Sequence, residues 1–394
     1  MSKFIRKNSS KDNNSINLIN LKNYPVIEKL SESPQSDLNQ NDADDDLINR
    51  IKDKGIYIFG AHKVGLNLKN LCESKEIRVL GFFDNDELKN NSTLNNVLIS
   101  IPNQKNTSGK LIVVASGRYS NLIIEQLNQY DCFYLNIHKF QYLFQLRHQA
   151  ESNFRNFRTT LYTNYCKVWS AFSSLNDEKS RKTFEGLIKL RTTLEVSHLD
   201  QFKCDFNDEY IDHEFINIED MRSFVDVGAY NGDTLDRIEK RFGFSNKSYL
   251  FEPELTPYIQ SLIKYKHREN VYIFNLGLSD KLFKLNYQGE FTYDLKTTES
   301  TNLQTQTIQF IKLDSLGIDD VSFIKIDVEG GELSVLKGAS ELIQKFKPKL
   351  AVCAYHRAND YWEIINYITN LYPNYKVGMR HYSDILDDTT LYFY

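Results

Sequence analysis

The sequence predicts an α/β protein with two parallel-sheet units joined by a helical spacer. Short apolar runs that end at glycine or acidic residues alternate with helical patterns over residues 47–138, and the alternation returns over residues 216–394. Between them, over residues 139–215, apolar and charged residues recur at helical spacing, which is typical of packed helices. Ligands are expected beyond the carboxyl ends of the strands, where open α/β sheets bind them.

Residues 1–46 differ from the rest of the chain. They are rich in Asn, Ser, Lys and Asp and end in the acidic run 42–46. So few apolar side chains cannot bury enough surface to offset the entropy of folding. We expect a disordered polar tail, with the apolar patch 24–30 docked on the folded part.

The unit at residues 47–138 has strand patterns at 55–60, 78–84 and 111–116 and helical patterns at 64–74 and 119–129. Glycines bracket its first turn, but His62 stands where a dinucleotide fingerprint has its middle glycine. The backbone therefore cannot approach a pyrophosphate closely there, and NAD binding is not expected.

The sequence GFFDND, which ends at Asp86, resembles the N-terminal half-Rossmann domain of nucleotide-sugar-modifying enzymes. The resemblance implies that Asp84, at the end of its strand, contacts a ribose or a sugar. A nucleotide sugar is then a candidate ligand of this unit. The alternative is a unit that only packs against the C-terminal one.

The second unit opens with FVDVGAYNGDT at residues 224–234, an apolar strand that breaks at a glycine and continues into a helix. Gly228 allows a tight turn and a close ligand approach, while the helix start offers free N–H groups to a carboxylate. The candidate cofactor residues of this turn are Asp226, Gly228, Ala229, Gly232, Asp233 and Thr234. The alternative is a corner whose glycines serve packing only.

Glu252 closes the next apolar strand, 26 residues after Asp226, where a carboxylate can accept both hydroxyls of a ribose. The glycine spacing is not G-x-G-x-x-G, and Asp233 at the helix start would repel a pyrophosphate. The same carboxylate suits the ammonium of a methionine moiety. The pattern therefore favours S-adenosylmethionine over a dinucleotide.

A third strand end, in FIKIDVEGGE at residues 323–332, carries polar side chains of alternating position, so Asp327 and Glu329 are expected on one face. His356 follows the neighbouring strand. Imidazole titrates near neutrality, so His356 is the predicted general base for an acceptor hydroxyl. Asp327 is expected to orient it or to touch the cofactor, and Glu329 to bind acceptor hydroxyls.

Two alternatives remain open for this cluster. Asp327, Glu329 and His356 could hold a divalent cation, which ligand types alone allow but do not favour. Otherwise Glu329 and Glu332 complement the helix that begins near Gly331, and His356 is a packed structural histidine. His381 is a weaker candidate for the same crevice.

These motifs resemble the FkbM family of S-adenosylmethionine-dependent methyltransferases. The shared segments are VDVGA, FEP after the second strand, LSD at residues 278–280 and KIDVEGGE. Over residues 177–394 the resemblance extends to a helical lead-in at 177–193 and to AYHR and RHYS around the two histidines. It implies a class I methyltransferase fold, which is a Rossmann-like, doubly wound sheet of seven strands with an antiparallel final pair. It also implies an enzyme that usually methylates a hydroxyl. It also implies Asp280 as a cofactor-binding residue.

The second unit has seven strand patterns and one long insertion. Strands are expected near 224–227, 248–252, 271–275, 323–328, 350–355, 375–382 and 389–394. The insertion at 281–320 contains two alternating segments that predict a hairpin, and insertions of this length at the ligand end of a sheet are often lids.

Composition narrows the class of protein. The 394 residues carry 48 basic and 52 acidic side chains, a net charge of −4, so a nucleic-acid partner is not expected. The five cysteines contain no C-x-x-C pair, which favours a reducing compartment over disulfides or a zinc site. No apolar run reaches the roughly 20 residues of a membrane span, so a cytoplasmic location is expected.

The functional hypothesis is a cytoplasmic S-adenosylmethionine-dependent O-methyltransferase that modifies a sugar hydroxyl in surface-glycan biosynthesis. A homo-oligomer is compatible with it. The opposing hypothesis is a non-catalytic protein that binds nucleotide sugars or acts as a scaffold.

Overall fold

The computed structural model describes residues 23–27, 42–116, 119–144, 157–193, 202–243, 245–287, 306–383 and 386–394. No helix within these ranges is long and apolar enough to cross a membrane. Most of the predicted tail, residues 1–46, lies outside them. Its described parts are ordered: Tyr24 and Ile27 are buried, and helix α1 (Asp42–Lys54) begins inside the acidic run. Burial of Tyr24 and Ile27 agrees with the expected docking of the apolar patch. Residues 42–46 are helical rather than disordered, because aspartates favour a helix start and Ile51 of α1 is buried.

The first unit forms a six-stranded sheet in the order β3-β4-β2-β1-β5-β6, parallel except for the pair β3–β4. Its central strands are buried on both faces, which explains their continuous apolar sequence. Its strands are β1 (Ile56–Phe59), β2 (Val79–Phe83), β3 (Thr93–Leu94), β4 (Val97–Ser100), β5 (Leu111–Val114) and β6 (Phe133–Asn136). The helices after α1 are α2 (Lys63–Ser74), α3 (Gln104–Thr107), α4 (Ser120–Leu127) and α5 (Ile137–Phe144).

The segment between the two sheets contains helices α6 (Phe157–Thr163), α7 (Tyr165–Ser174) and α8 (Glu178–Thr193). Asp177 caps α8 by accepting the Ser180 N–H at 2.7 Å. Apolar side chains of α6–α8 share one buried cluster with the second sheet. Tyr24 joins that cluster, with its ring edge-on to Phe172. The aromatic residues of the spacer therefore form a core, as their spacing predicts.

The second unit forms the predicted seven-stranded sheet, in the order β15-β16-β14-β13-β7-β8-β9. Strand β16 runs antiparallel to both neighbours, and the other pairs are parallel. Its strands are β7 (Ser223–Val227), β8 (Lys247–Phe251), β9 (Val271–Phe274), β13 (Phe323–Ile326), β14 (Lys349–Cys353), β15 (Val377–His381) and β16 (Thr389–Phe393). Its helices are α9 (Asp233–Phe242), α10 (Leu255–Tyr265), α11 (Glu332–Gly338), α12 (Ser340–Phe346) and α13 (Asp360–Leu371).

The insertion after β9 builds a small sheet of β10 (Gly277–Leu278), β11 (Phe283–Tyr287) and β12 (Gln306–Ile311). Strands β11 and β12 pair antiparallel, which confirms the predicted hairpin, and the rings of Phe283 and Phe310 stack across it. Residues 288–305, between these strands, lie outside the described ranges. A lid function for the insertion stays a prediction.

Candidate active site

A cavity of about 630 Å³ lies at the carboxyl ends of β7, β8 and β13. Its volume falls within the range of small-molecule sites. Six predicted site residues line it: Gly228, Asp233, Thr234, Glu252, Asp327 and Glu329. The sheet brings them together because parallel strands end at one edge.

Gly228 makes the turn after β7 possible. Its φ is +81°, and a Cβ there would lie 1.7 Å from the backbone oxygen of Asp327. The N–H groups of Gly228 and Ala229 both donate to the Phe251 carbonyl at 3.0 Å. The glycine thus packs three strand ends closely and leaves the cavity wall without a side chain.

Gly232 has a different role from the one predicted. It adopts a φ of +79° before α9, and a Cβ would lie 2.5 Å from the Tyr265 ring. The Tyr265 hydroxyl donates to the Gly232 carbonyl at 2.7 Å. Gly232 and Ala229 therefore shape the turn without lining the described cavity.

Glu252 is 6% exposed and is held by the backbone. Its two oxygens accept the N–H groups of Tyr230 and Glu254, each at 2.8 Å. Burial raises its pKa to about 7. Each carboxylate oxygen has a second lone pair, so the rigid carboxylate can still accept a hydroxyl from the cavity.

Asp226 lies beneath the turn rather than in the cavity wall. Its Oδ1 is 3.1 Å from Lys325 Nζ, and both side chains are nearly inaccessible. Lys325 also donates to the Gly228 carbonyl at 2.7 Å. Burial raises the pKa of Asp226 to about 6, with Lys325 opposing it. Asp226 therefore supports the turn at Gly228 through Lys325, and it does not itself line the cavity.

The polar end of the site gathers three carboxyl groups around one imidazole. His356 Nε2 is 3.3 Å from Glu329 Oε2 and 3.8 Å from Asp327 Oδ1, and Nδ1 is 2.9 Å from Glu332 Oε1. Despite these short distances, neither nitrogen is oriented to form a hydrogen bond with a carboxyl group. Burial lowers the pKa of His356, but Glu329, Glu332 and Asp327 outweigh it and raise the pKa to about 11.

The loop after β13 holds this cluster in place. Glu332 is fully buried, and its Oε1 accepts the N–H groups of Val328 and Gly330 at 3.1 and 3.2 Å. Asp327 Oδ2 accepts the Tyr210 hydroxyl at 3.0 Å. Glu329 adopts a φ of +55°, which is uncommon for a residue with a Cβ and recurs at functional sites.

Several residues that line the cavity were not predicted. The segment before β7 contributes Phe206, Glu209 and Tyr210, and α9 contributes Arg237. Burial and the nearby Asp388 and Asp327 carboxylates raise the pKa of Glu209 to about 8. The sequence FNDEY carries no motif that marks these residues, because only folding brings them over the strand ends.

Other predicted residues lie elsewhere. Asp280 is half-buried, accepts the Ser279 hydroxyl at 3.2 Å, and does not line the cavity. His381 is buried in β15, with Nδ1 2.8 Å from Thr389 Oγ1. Within the described part of the chain, His381 takes no part in the His356 cluster.

In the first unit, Asp84 fastens the turn after β1. Its Oδ2 accepts the Ala61 N–H at 2.8 Å and lies 3.1 Å from Lys89 Nζ. His62 Nδ1 accepts the Val64 N–H at the start of α2. Although burial acts in the other direction, backbone N–H groups and Lys89 lower the pKa of Asp84. A sugar at Asp84 stays a prediction.

Comparison with known families agrees with this geometry. Residues 226–376 match the family model described as Methyltransferase FkbM domain. The second unit is an FkbM methyltransferase domain. The resemblance seen in the motifs is confirmed, and the match supports S-adenosylmethionine as the cofactor. Comparison with curated proteins gives no match.

The fold is shared with solved methyltransferases. The crystal structure of Methyltransferase FkbM from Methylobacillus flagellatus KT is 21% identical, with a TM-score of 0.73 over 94% of this chain and 97% of that one. A SAM dependent methyltransferase from Aquifex aeolicus matches at 16% identity and a TM-score of 0.31, over 50% of this chain and 97% of that one. An rRNA methylase from Streptococcus thermophilus matches at 12% identity and a TM-score of 0.30, over 45% of this chain and 91% of that one. The match to the Methylobacillus flagellatus structure confirms the class I Rossmann-like methyltransferase fold.

Proposed function

We propose that the protein is an S-adenosylmethionine-dependent O-methyltransferase. The observation that carries this proposal is the single cavity in which the Gly228 turn and Glu252 face Asp327 and Glu329. Its walls suit a cationic cofactor, since acidic side chains outnumber Lys325 and Arg237 among its lining residues. When bound, the cofactor supplies a methyl group on a sulfonium.

Each wall of the cavity has a proposed task. Glu252 accepts ribose hydroxyls, since its carboxylate is rigid and its second lone pairs are available. Asp233, in the first turn of α9, pairs with the ammonium of the methionine moiety. Thr234 is buried beside it and lines the same cavity. Asp280 has no contact with the cavity that would support a cofactor role.

The acceptor hydroxyl is proposed to bind near Asp327 and Glu329, across the cavity from Glu252. With the cofactor bound, the hydroxyl oxygen would take its methyl group, the electron pair of the carbon–sulfur bond would stay with sulfur, and the hydroxyl proton would pass to a side chain of the cavity. Holding the oxygen in line can supply roughly 7–11 kcal/mol of the barrier, and general-base help typically gives about 10²–10⁴-fold. The chain therefore needs a rigid cradle and a proton acceptor.

The raised pKa of His356 argues against its predicted role as that acceptor. While no cation is bound, a pKa of about 11 keeps the second proton on the imidazole at neutral pH, so His356 cannot take the acceptor proton in that state. Glu209 is the better candidate. Its lower pKa of about 8 leaves about a tenth of its carboxyl groups ionised at pH 7 and able to take a proton. Its Oε1 has no hydrogen-bond partner, and it lines the same cavity. We therefore assign the proton transfer to Glu209 and not to His356.

A sugar hydroxyl remains the proposed acceptor. It is supported by the motif resemblance of the first unit, whose strand-end Asp84 is ordered by backbone contacts. A nucleotide sugar held there would bring its sugar as substrate. The competing function, a non-catalytic binding protein or scaffold, predicts sugar binding without methyl transfer.

Calorimetric titration with S-adenosylmethionine tests the cofactor site. The intact chain should bind one equivalent, and Glu252→Ala should weaken binding at least tenfold. Glu269→Ala removes an exposed glutamate from the turn between α10 and β9 and should bind as the intact chain does. A folded intact chain that binds no cofactor would remove the enzyme proposal and favour the scaffold.

Transfer of a labelled methyl group to a panel of nucleotide sugars and free sugars tests the reaction. Glu209→Gln should keep cofactor affinity and lose about 10²–10⁴-fold in turnover. Full turnover of this variant would exclude Glu209 as the proton acceptor. Full turnover of the intact chain with acceptors that lack sugars, and none with sugars, would exclude the sugar assignment.

A further inference from the structure

The cluster of Asp327, Glu332 and His356 contains buried nitrogen and oxygen atoms that form no hydrogen bond. Asp327 Oδ1, Glu332 Oε2 and both imidazole nitrogens are buried and have no hydrogen-bond partner. Buried polar atoms are nearly always satisfied in folded proteins, so four such atoms in one place require an explanation. Glu332 is fully buried and His356 is 10% exposed, so bulk water does not supply the missing partners.

The geometry of these atoms is close to that of a metal site. Single ligand atoms of Asp327, Glu332 and His356 lie within 4.8 Å of one another. Ligands about 2.1 Å from a four-coordinate ion are separated by about 3.4 Å. The distance from His356 Nε2 to Asp327 Oδ1 is 3.8 Å, so a small side-chain rotation closes the site.

We propose that Asp327, Glu332 and His356 form a binding site for one divalent cation. This ligand set differs from the alternative drawn from the sequence, because the buried Glu332 replaces the exposed Glu329. Glu329 stands at the rim, 3.3 Å from His356 Nε2 and 56% exposed, where it can join or leave the ligand set.

The ligand types select the kind of cation. Two carboxylates and one imidazole suit Mn²⁺ and other divalent transition ions, whereas Mg²⁺ and Ca²⁺ prefer oxygen ligands alone. Two carboxylates also balance the charge of the ion. Three protein ligands leave coordination positions open, as in catalytic rather than purely structural sites.

The position of the site suggests a role, which rests on the proposed function. Asp327 belongs both to the cluster and to the cavity wall, so a cation there would touch the space assigned to the acceptor hydroxyl. A bound divalent cation lowers the pKa of an oxygen that it contacts. The Tyr210 hydroxyl holds the other oxygen of Asp327 and keeps Oδ1 turned to the ion.

Titration of the chelator-treated protein with Mn²⁺ tests the site. The intact chain should bind one equivalent, and Asp327→Asn and His356→Ala should each lose at least tenfold in affinity. His267→Ala removes an exposed histidine outside the cluster and should bind like the intact chain. No stoichiometric binding to the intact chain, or equal affinity in all variants, would overturn the proposal.

A spectroscopic measurement on the intact chain tests the ligand set without relying on variants that could fail to fold. Electron spin-echo envelope modulation spectroscopy of Mn²⁺ bound to the intact chain should show coupling of its electron spin to one imidazole nitrogen. Bound Mn²⁺ without nitrogen coupling would overturn the proposed ligand set. Cofactor titration of the same sample separates the two proposals: Mn²⁺ binding without cofactor binding would overturn the methyltransferase and leave the cation site standing.

Discussion

The buried pair of Asp226 and Lys325 is expected to be the contact whose loss costs most in the FkbM domain. The two charged atoms are 3.1 Å apart, and their side chains are 0% and 4% exposed. Lys325→Met keeps the length of the side chain and removes the ammonium. A carboxylate is then left in the interior without its cation, which typically costs about 3–5 kcal/mol.

The structure also sets how this loss depends on pH. The folded-state pKa of Asp226 is already about 6, against 3.8 ordinarily, because burial outweighs Lys325. Without Lys325 its pKa rises further, so Asp226 of the variant takes up a proton below neutral pH. The destabilisation should therefore be about 3–5 kcal/mol at pH 7 and should shrink by up to about 1.4 kcal/mol per pH unit toward pH 6. Below pH 6 Asp226 of the intact chain is protonated too, so the difference should level off.

Urea unfolding of four proteins measures the coupling. These are the intact chain, Lys325→Met, Asp226→Asn and the double variant, and the double variant should lose at least about 1 kcal/mol less than the sum of the single losses. Lys240→Met removes an exposed lysine from the last turn of α9 and should cost under about 1 kcal/mol. Strict additivity, or a loss for Lys325→Met no larger than for Lys240→Met, would refute the reasoning.

Three further predictions concern other parts of the chain. Gly228→Ala puts a Cβ 1.7 Å from a backbone oxygen at a φ of +81°, so titration should find cofactor binding lost; unchanged affinity would contradict the role of the turn. Glu209 has a folded pKa of about 8, above its ordinary 4.5, so its contribution to stability is present below pH 4.5 and is lost as pH rises through 8. Between pH 4.5 and pH 8 the free energy of unfolding should fall by roughly 2–5 kcal/mol more in the intact chain than in Glu209→Gln. The same pH dependence in both proteins would show that the pKa of Glu209 is not raised by folding. Ile27→Ala empties a buried position and should cost about 2–5 kcal/mol in urea unfolding, while an unchanged midpoint would show that residues 23–27 are not docked.

Patterns of local sequence predicted all seven strands of the second sheet but only β1, β2 and β5 of the first; β3, β4 and β6 were not predicted. The strand, glycine turn and helix at residues 224–234 were readable because each part has its own local cause, an apolar run, a positive φ and an acidic first turn. The hairpin of β11 and β12 was readable from alternation alone. The helix start at Asp42 was missed because acidic composition was taken as disorder, although aspartates also favour the first turn of a helix.

The roles of single polar residues were harder to predict, because they depend on neighbours that are distant in sequence. Asp226 was expected near the cofactor, but Lys325 from the adjacent strand holds it beneath the turn. His356 was expected as a base because a free imidazole titrates near neutrality. Two carboxyl groups from the loop after β13 and a third from the first residue of α11 face it instead and raise its pKa to about 11.

Local sequence patterns were enough to predict the strands of the second unit, its glycine turn, and the presence of Glu252, Asp327 and His356 at strand ends. These features follow from local backbone preferences and from apolar periodicity, which each segment carries on its own. The tertiary structure decided which of these residues share a cavity, and it added Glu209 and Tyr210 from a segment without a motif. It also decided their protonation and their free ligand atoms, because burial and the distances between charges exist only once the chain has folded.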